Sequence, residues 1–264
     1  MEHTIKYLEQ YYNNYDEDGR LLSRHGQVEY LTTMKYIHES LSGLSDPTIL
    51  EVGAGTGRYS VALAKQGFRV TAVELVAHNV ELLRAKLDGS EPITALQGNA
   101  LDLSALPDAA FDLTMLLGPM YHLYTREEKL QALREAVRVT KPGGRILVAY
   151  CMNDPTVVQY VFGSNHLHEV MELNMLTEDW HCISEPKDIF ELVRTEDIAA
   201  LDAELPVERL KLVATDGATN YKREFIDALD EDTFAKWMDY HFTVCERQDL
   251  IGASHHTLDI LRKQ

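Results

Sequence analysis

Glu51 and Glu74 each close a short apolar run, and Gly53, Gly55 and Gly57 stand between them at alternate positions. Glycines in such a turn let backbone pass close to a ligand at positive φ, and the N–H groups opening the next helix face what sits at the strand end. A carboxylate such as Glu74 can accept from both hydroxyls of a ribose. The chemistry on offer is therefore the holding of a small polar ligand. A dinucleotide turn wants its third glycine one residue later, where Arg58 stands, and no G-K-[ST] follows to make a phosphate loop. Further along, Tyr121 and His122 could move a proton, since imidazole titrates near neutral pH. A lone histidine between a strand and a helix serves equally as a structural hydrogen-bonder.

The elements that must position these residues alternate regularly. The run Ile49-Leu50-Glu51 reads as a strand, Tyr59 to Gly67 as a helix, Phe68 to Leu75 as a second strand and Val76 to Leu87 as a second helix. A third strand covers Ile93 to Leu103, with Asn99 and Ala100 near its end. A fourth, Ala110 to Leu123, carries Leu117, Gly118, Tyr121 and His122 to the edge where ligands sit in open α/β sheets. Arg126 to Val139 is helical by pattern, and Lys141-Pro142-Gly143-Gly144 turns into a fifth strand ending near Tyr150.

The turn E-x-G-x-G-x-G at 51–57, the acid Glu74, Gly98-Asn99-Ala100, the fourth strand and the helix followed by K-P-G-G and a strand occur in this order over residues 45–150. In this the chain resembles the class I S-adenosylmethionine (SAM)-dependent methyltransferases. The resemblance implies a doubly wound α/β fold: a seven-stranded, mostly parallel sheet with an antiparallel last strand, an N-terminal helical lid and helical insertions. It implies SAM as cofactor, held by Glu51, Gly53, Ala54, Gly55, Gly57, Glu74, Leu75, Asn99, Ala100 and Leu117, with Tyr15, Arg20 and Arg24 of the lid meeting its carboxylate or the substrate. Asn99 departs from the acid usual there. Its amide oxygen can still accept from an adenine amino group, and Asp102 is a substitute.

The implied reaction is in-line methyl transfer to an O, N or S nucleophile, with His122 and Tyr121 as candidate catalytic residues. Action on a protein or RNA, or SAM binding without turnover, are the alternatives. Residues 1–264 are expected to form one domain: a lid over 1–44, the cofactor core over 45–150, a cap insertion over 151–190, and a C-terminal part from 191 with a helical insertion over 219–249. Val157 to Leu176 and Leu192 to Ala203 read as helices, Glu208 to Thr215 and His255 to Arg262 as the last strands.

Composition narrows the partners. A net charge of −17, from 42 acids against 25 bases, disfavours nucleic acid and anionic membrane, whose phosphates need Lys and Arg. A small-molecule acceptor is expected, in a monomer or homodimer. Cys151, Cys182 and Cys245 are too scattered for a disulfide framework or a C-x-x-C site. Asn153-Asp154 lacks the partner acid that a magnesium site would need, so no metal is expected. With no apolar run long enough to span a bilayer and no secretory signal, a cytoplasmic protein is expected.

Overall fold

The computed structural model describes residues 2–15 and 17–264, and only the backbone of residues 2, 3, 17 and 18. Three helices, α1 (Glu2–Tyr12), α2 (Glu17–Arg20) and α3 (Arg24–Leu41), precede β1 (Thr48–Val52). Then follow α4 (Arg58–Lys65), β2 (Arg69–Glu74), α5 (Ala77–Ala85), β3 (Ile93–Gln97) and β4 (Phe111–Leu116). After a 3₁₀ turn over Pro119–His122 come α6 (Arg126–Val139) and β5 (Thr140–Cys151). The cap region holds α7 (Asn153–Thr156), a π-helical stretch over Val157–Gly163 and α8 (Leu167–Glu172). The chain ends with α9 (Thr195–Asp202), β6 (Val207–Ala214), α10 (Arg223–Asp227), α11 (Glu231–Val244), α12 (Gln248–Ile251) and β7 (His256–Lys263).

Among the described residues the strands form one seven-stranded sheet in the order β3-β2-β1-β4-β5-β7-β6. The first five lie parallel, and β7 runs antiparallel to both β5 and β6. The sheet's order reverses between β1 and β4, so the turns after these two strands part there and leave a crevice at their carboxyl ends. Strands buried on both faces need continuous apolar runs. Leu50, Val52, Leu116 and Val148 accordingly pack under Leu130, Leu133 and Ile198 on one face, and Ile49, Met115 and Leu147 pack under Ile37 and Leu63 on the other.

Several boundaries differ from expectation for local reasons. α3 begins at Arg24 rather than Val28, because the Ser23 hydroxyl caps it by accepting from Gly26 N. Gly26 is needed there: a Cβ would stand 2.4 Å from the Arg20 carbonyl oxygen. Tyr36, Ile37 and Leu41 of α3 are buried in the core, so this helix of the segment expected as a lid is part of the core. The helix expected over 157–176 is broken at Asn165, whose φ is 59°. α9 starts at Thr195 rather than Leu192, since Val193 bridges Met152 in extended form. α10 and α11 back α3 through Val28, Ile226, Phe234 and Met238. Among the described residues, no helix is long and apolar enough to cross a membrane.

Candidate functional site

At the end of β1 the chain turns through Gly53 (φ 75°) and Gly55 (φ 53°). A Cβ on Gly53 would meet Pro119 Cδ at 2.5 Å, so the close approach of the turns after β1 and β4 requires glycine. Gly55 N donates to Glu74 Oε2 at 2.9 Å, and Val76 N donates to Glu74 Oε1 at 2.9 Å. Both oxygens of the buried Glu74 are thus braced, with lone pairs to spare. Burial raises its pKa against these bonds. Glu51, deeper still, accepts from the Ser60 hydroxyl, and burial pushes its carboxyl up to about 8.

The cavity above this turn is lined by Glu51, Gly53, Ala54 and Gly55 from the β1 turn and by Glu74 and Leu75 from β2. Asn99 and Ala100 close the β3 side, Leu117, Tyr121 and His122 the β4 side, and Arg20 reaches in from α2. Three expected cofactor residues lie elsewhere. Gly57 caps α4 in the left-handed conformation, and a Cβ there would stand 2.6 Å from Leu83, so its glycine serves helix packing. Arg24 points to α11, over the Phe234 ring. Tyr15 lines a neighbouring cavity. The Asn99 amide oxygen accepts from Leu101 N at 3.0 Å in a local turn, and the exposed Asp102 does not line the cavity.

Arg58 was not anticipated. Its side chain lines the cavity, lies over the Tyr30 ring, and its buried Nε has no hydrogen-bond partner among the described residues. The signal was in the sequence, as the cation standing where a dinucleotide turn has glycine. Leu8 and Tyr12 of α1 also face this cavity.

His122 is buried, and burial lowers its pKa to about 4, with the Ile189 carbonyl opposing weakly. It is therefore neutral at pH 7. Its Nδ1 lies 2.9 Å from the Ile189 carbonyl oxygen and must be the protonated nitrogen, so Nε2 accepts from the Tyr12 hydroxyl at 2.8 Å. Ile189, a β-branched residue held at φ 69°, also accepts from the Tyr124 hydroxyl. Tyr121 donates to the Leu117 carbonyl at 2.8 Å, and its own carbonyl accepts from Glu191 N. The buried Lys129–Glu191 pair fastens the same segment to α6.

Tyr12, Arg20 and Tyr121 also line a second cavity of about 480 Å³. On its polar side Arg20 grips Glu29 through both carboxylate oxygens, at 2.8 and 3.1 Å. His256 Nδ1 donates to Asp216 Oδ2 at 2.7 Å. Burial opposes charge on all three acid–base groups, yet Arg20 and His256 hold Glu29 below the carboxylate range. His256 brings Asp216 to about 2, and Glu29 and Asp216 hold His256 well above the usual histidine value. Glu29, Asp216 and His256 bring potential metal-ligating atoms within 4.8 Å of one another, and with Arg20 they form a row of alternating acidic and basic groups. The Asn153 side chain donates to Trp180 O and accepts from Cys182 N.

Residues 50–148 match the family model described as "Methyltransferase domain". A methyltransferase of Bacillus subtilis described as putative, YqeM, is 30% identical over 134 residues, which are 50% of this chain and 51% of that protein. The demethylmenaquinone methyltransferase of Clavibacter sepedonicus is 30% identical over 142 residues, covering 53% and 55% of the two chains. The chain spans about half the length of these curated relatives. A solved Thermotoga maritima structure, described as a SAM-dependent methyltransferase and possible histamine N-methyltransferase, superposes with a TM-score of 0.57 over 99% of this chain and all of that one at 19% identity, a likeness of fold. Strand order, glycine turn and the matched region agree: residues 50–148 form a methyltransferase domain, within a chain that has the fold of the solved SAM-dependent methyltransferase.

Proposed function

We propose that the protein transfers a methyl group from SAM to an O, N or S atom of a small-molecule acceptor. The observation that carries this reading is the meeting of two cavities at Tyr12, Arg20 and Tyr121, one over the glycine turn and one large enough for a second small molecule. When bound, SAM supplies an electrophilic methyl that an acceptor's lone pair takes as the carbon–sulfur bond breaks. The residues present fit that cofactor: Glu74 would take the ribose hydroxyls, the unpartnered Nε of Arg58 suits a carboxylate, and Glu51, whose burial favours the neutral acid, would give up its proton on facing an ammonium. Asn99, Ala100 and Leu75 would frame the adenine.

Much of the rate in such a displacement comes from alignment and exclusion of water. His122, weakly basic and committed on both nitrogens, acts in this reading as a positioning residue for Tyr12, and Tyr121 shapes the junction of the cavities. The named activity of the Clavibacter relative on demethylmenaquinone supports a small-molecule acceptor. The test is incubation with labelled SAM and a fractionated metabolite extract, with S-adenosylhomocysteine (SAH) formation and a labelled product expected. Calorimetry that showed NAD binding and no SAM binding would overturn the reading, and SAM binding without turnover on any fraction would favour a binding protein.

A further inference from the structure

The second cavity has one aromatic wall and one polar wall. Tyr11 and Tyr15 stack with centroids 5.1 Å apart, and Phe190 meets the Tyr11 ring edge-on at 5.8 Å and Tyr121 at 5.9 Å. This wall suits a flat apolar body. On the polar wall each carboxylate is already paired with a cation. Both Glu29 oxygens are gripped by Arg20. Asp216 accepts from Ser254 Oγ, His255 N, His256 N, His256 Nδ1 and Asn220 Nδ2. His25 is committed to Asp227 at 2.7 Å.

Donor capacity remains. His256 uses only Nδ1, and its Nε2 makes no hydrogen bond among the described residues. Arg223, at the cavity rim, uses Nε on Asn220 Oδ1 at 2.8 Å and forms no ion pair among the described residues, which leaves its Nη groups. An amine entering here would meet Arg20, Arg223 and His256 with every nearby carboxylate already engaged. An anionic oxygen would meet unspent cationic donors, the stronger kind of hydrogen bond.

We propose that this cavity is the acceptor site, and that it selects a flat aromatic molecule bearing an anionic oxygen head group, carboxylate in the first instance, set on His256 Nε2 and Arg223 with its ring against Tyr11, Phe190 and Tyr121. The inference rests on the methyltransferase reading and deepens it. The reacting atom then lies toward Tyr12 and Tyr121, where the two cavities join.

The test is calorimetry on the full chain saturated with SAH. The probes are benzoate, 4-hydroxyphenylacetate and indole-3-acetate, each beside its amide and its amine, with phenyl phosphate as the alternative head group. At least one acid is expected to bind about tenfold or more tightly than its amide, as charge-assisted bonds require, with the amine weaker still. Arg223→Ala, on an exposed side chain, should lower that acid's affinity about tenfold and leave SAH affinity unchanged, and Arg223→Lys should recover part of it. Tighter binding of phenyl phosphate would keep the anionic class and assign the head group to phosphate. Amide or amine binding as well as the acid, or an acid affinity indifferent to Arg223→Ala, would overturn the proposal. If SAH binds and no anionic probe does, this inference fails and the function stands; if SAH itself does not bind, both fail.

Discussion

The Tyr12 hydroxyl and His122 Nε2 lie 2.8 Å apart, joining residues 110 positions distant in the chain. Through this bond the first helix is fastened to the turn after β4, over the cavity that the glycine turn forms. The bond is directional: His122 is locked as the Nδ1–H tautomer by the Ile189 carbonyl, so only the tyrosine can donate.

Tyr12→Phe should therefore loosen closure while leaving the sheet intact. Loss of one hydrogen bond of about 0.5–1.5 kcal/mol predicts SAH affinity lower by roughly two- to tenfold. Limited proteolysis between α1 and α3 should become faster in the variant, and SAH should protect the parent protein there. Cleavage indifferent to SAH in the parent would count against a lid. A deletion that tests the lid should end at residue 15, because removal to 26 would cut into α3, whose Tyr36 and Ile37 belong to the core.

Glu51 offers a second test. Its folded pKa of about 8 stands above the ordinary 4.5, so the folded state holds an extra proton between those values. Stability from this group is present at low pH and lost as pH rises through about 8. Glu51→Gln should raise the melting temperature above pH 8 relative to the parent and change it little near pH 5. If Glu51 also faces a cofactor ammonium, the same variant should bind SAH about tenfold more weakly, the scale of one charged hydrogen bond. A variant no more stable at pH 9 would show that Glu51 is not a buried, protonated acid.

Those residues could be read from the sequence because each follows from a local rule. Gly53 and Gly55 mark a tight turn, Glu74 a strand end, and the parallel order of β1, β2 and β4 brings them together without further information. Three residues grouped with the cofactor in the sequence do not line the cavity over the glycine turn, Tyr15 among them. Gly57 sits in the motif by sequence, yet its positive φ answers to Leu83; Arg24 was grouped with Arg20 by proximity, although the N-terminus of α3 turns the two apart. Glu29, Asp216 and His256 could not be seen at all. They come from α3, the end of β6 and the start of β7, and only the antiparallel return of β7 beside β5 assembles them. Ile189 was hidden likewise, since its strained φ and its bond to His122 depend on the path of the whole cap region.

Three histidines set the response to acid. His122, His241 and His255 each have a folded pKa of about 4, lowered chiefly by burial. The unfolded chain takes up these protons near pH 6.5, before the folded one does, so their contribution is intact above 6.5 and lost as pH falls toward 4. The parent's denaturation midpoint should fall more steeply from pH 7 to pH 4.5 than that of a His241→Gln variant, a comparison in which the opposite proton uptake by Glu51 and Asp202 cancels. Equal slopes in parent and variant would mean that His241 is charged, and so hydrated, in the folded protein.

Asp216 is the tie between β6 and β7, and its removal should be the most damaging single change considered. Its carboxyl is fully buried and receives donors from Ser254, His255, His256 and Asn220. Its pKa of about 2 lies below the ordinary 3.8, so its contribution is present above pH 3.8 and lost as pH falls through 2. Asp216→Asn keeps the shape, but it removes the charge facing His256 and turns an amide donor toward groups that are themselves donors. Breaking a buried pair from one side costs about 3–5 kcal/mol, because the remaining charge is uncompensated. His256, left with Glu29 as its acid partner, should show a lower pKa than in the parent in an NMR titration. The variant's loss of denaturation midpoint should then be smaller at pH 8 than at pH 6, because less of the parent's stabilisation from charged His256 remains at the higher pH. An equal loss at both pH values would mean that Asp216 acts through its backbone-tying bonds alone, and the alternating charge network on the wall of the second cavity would have to be abandoned.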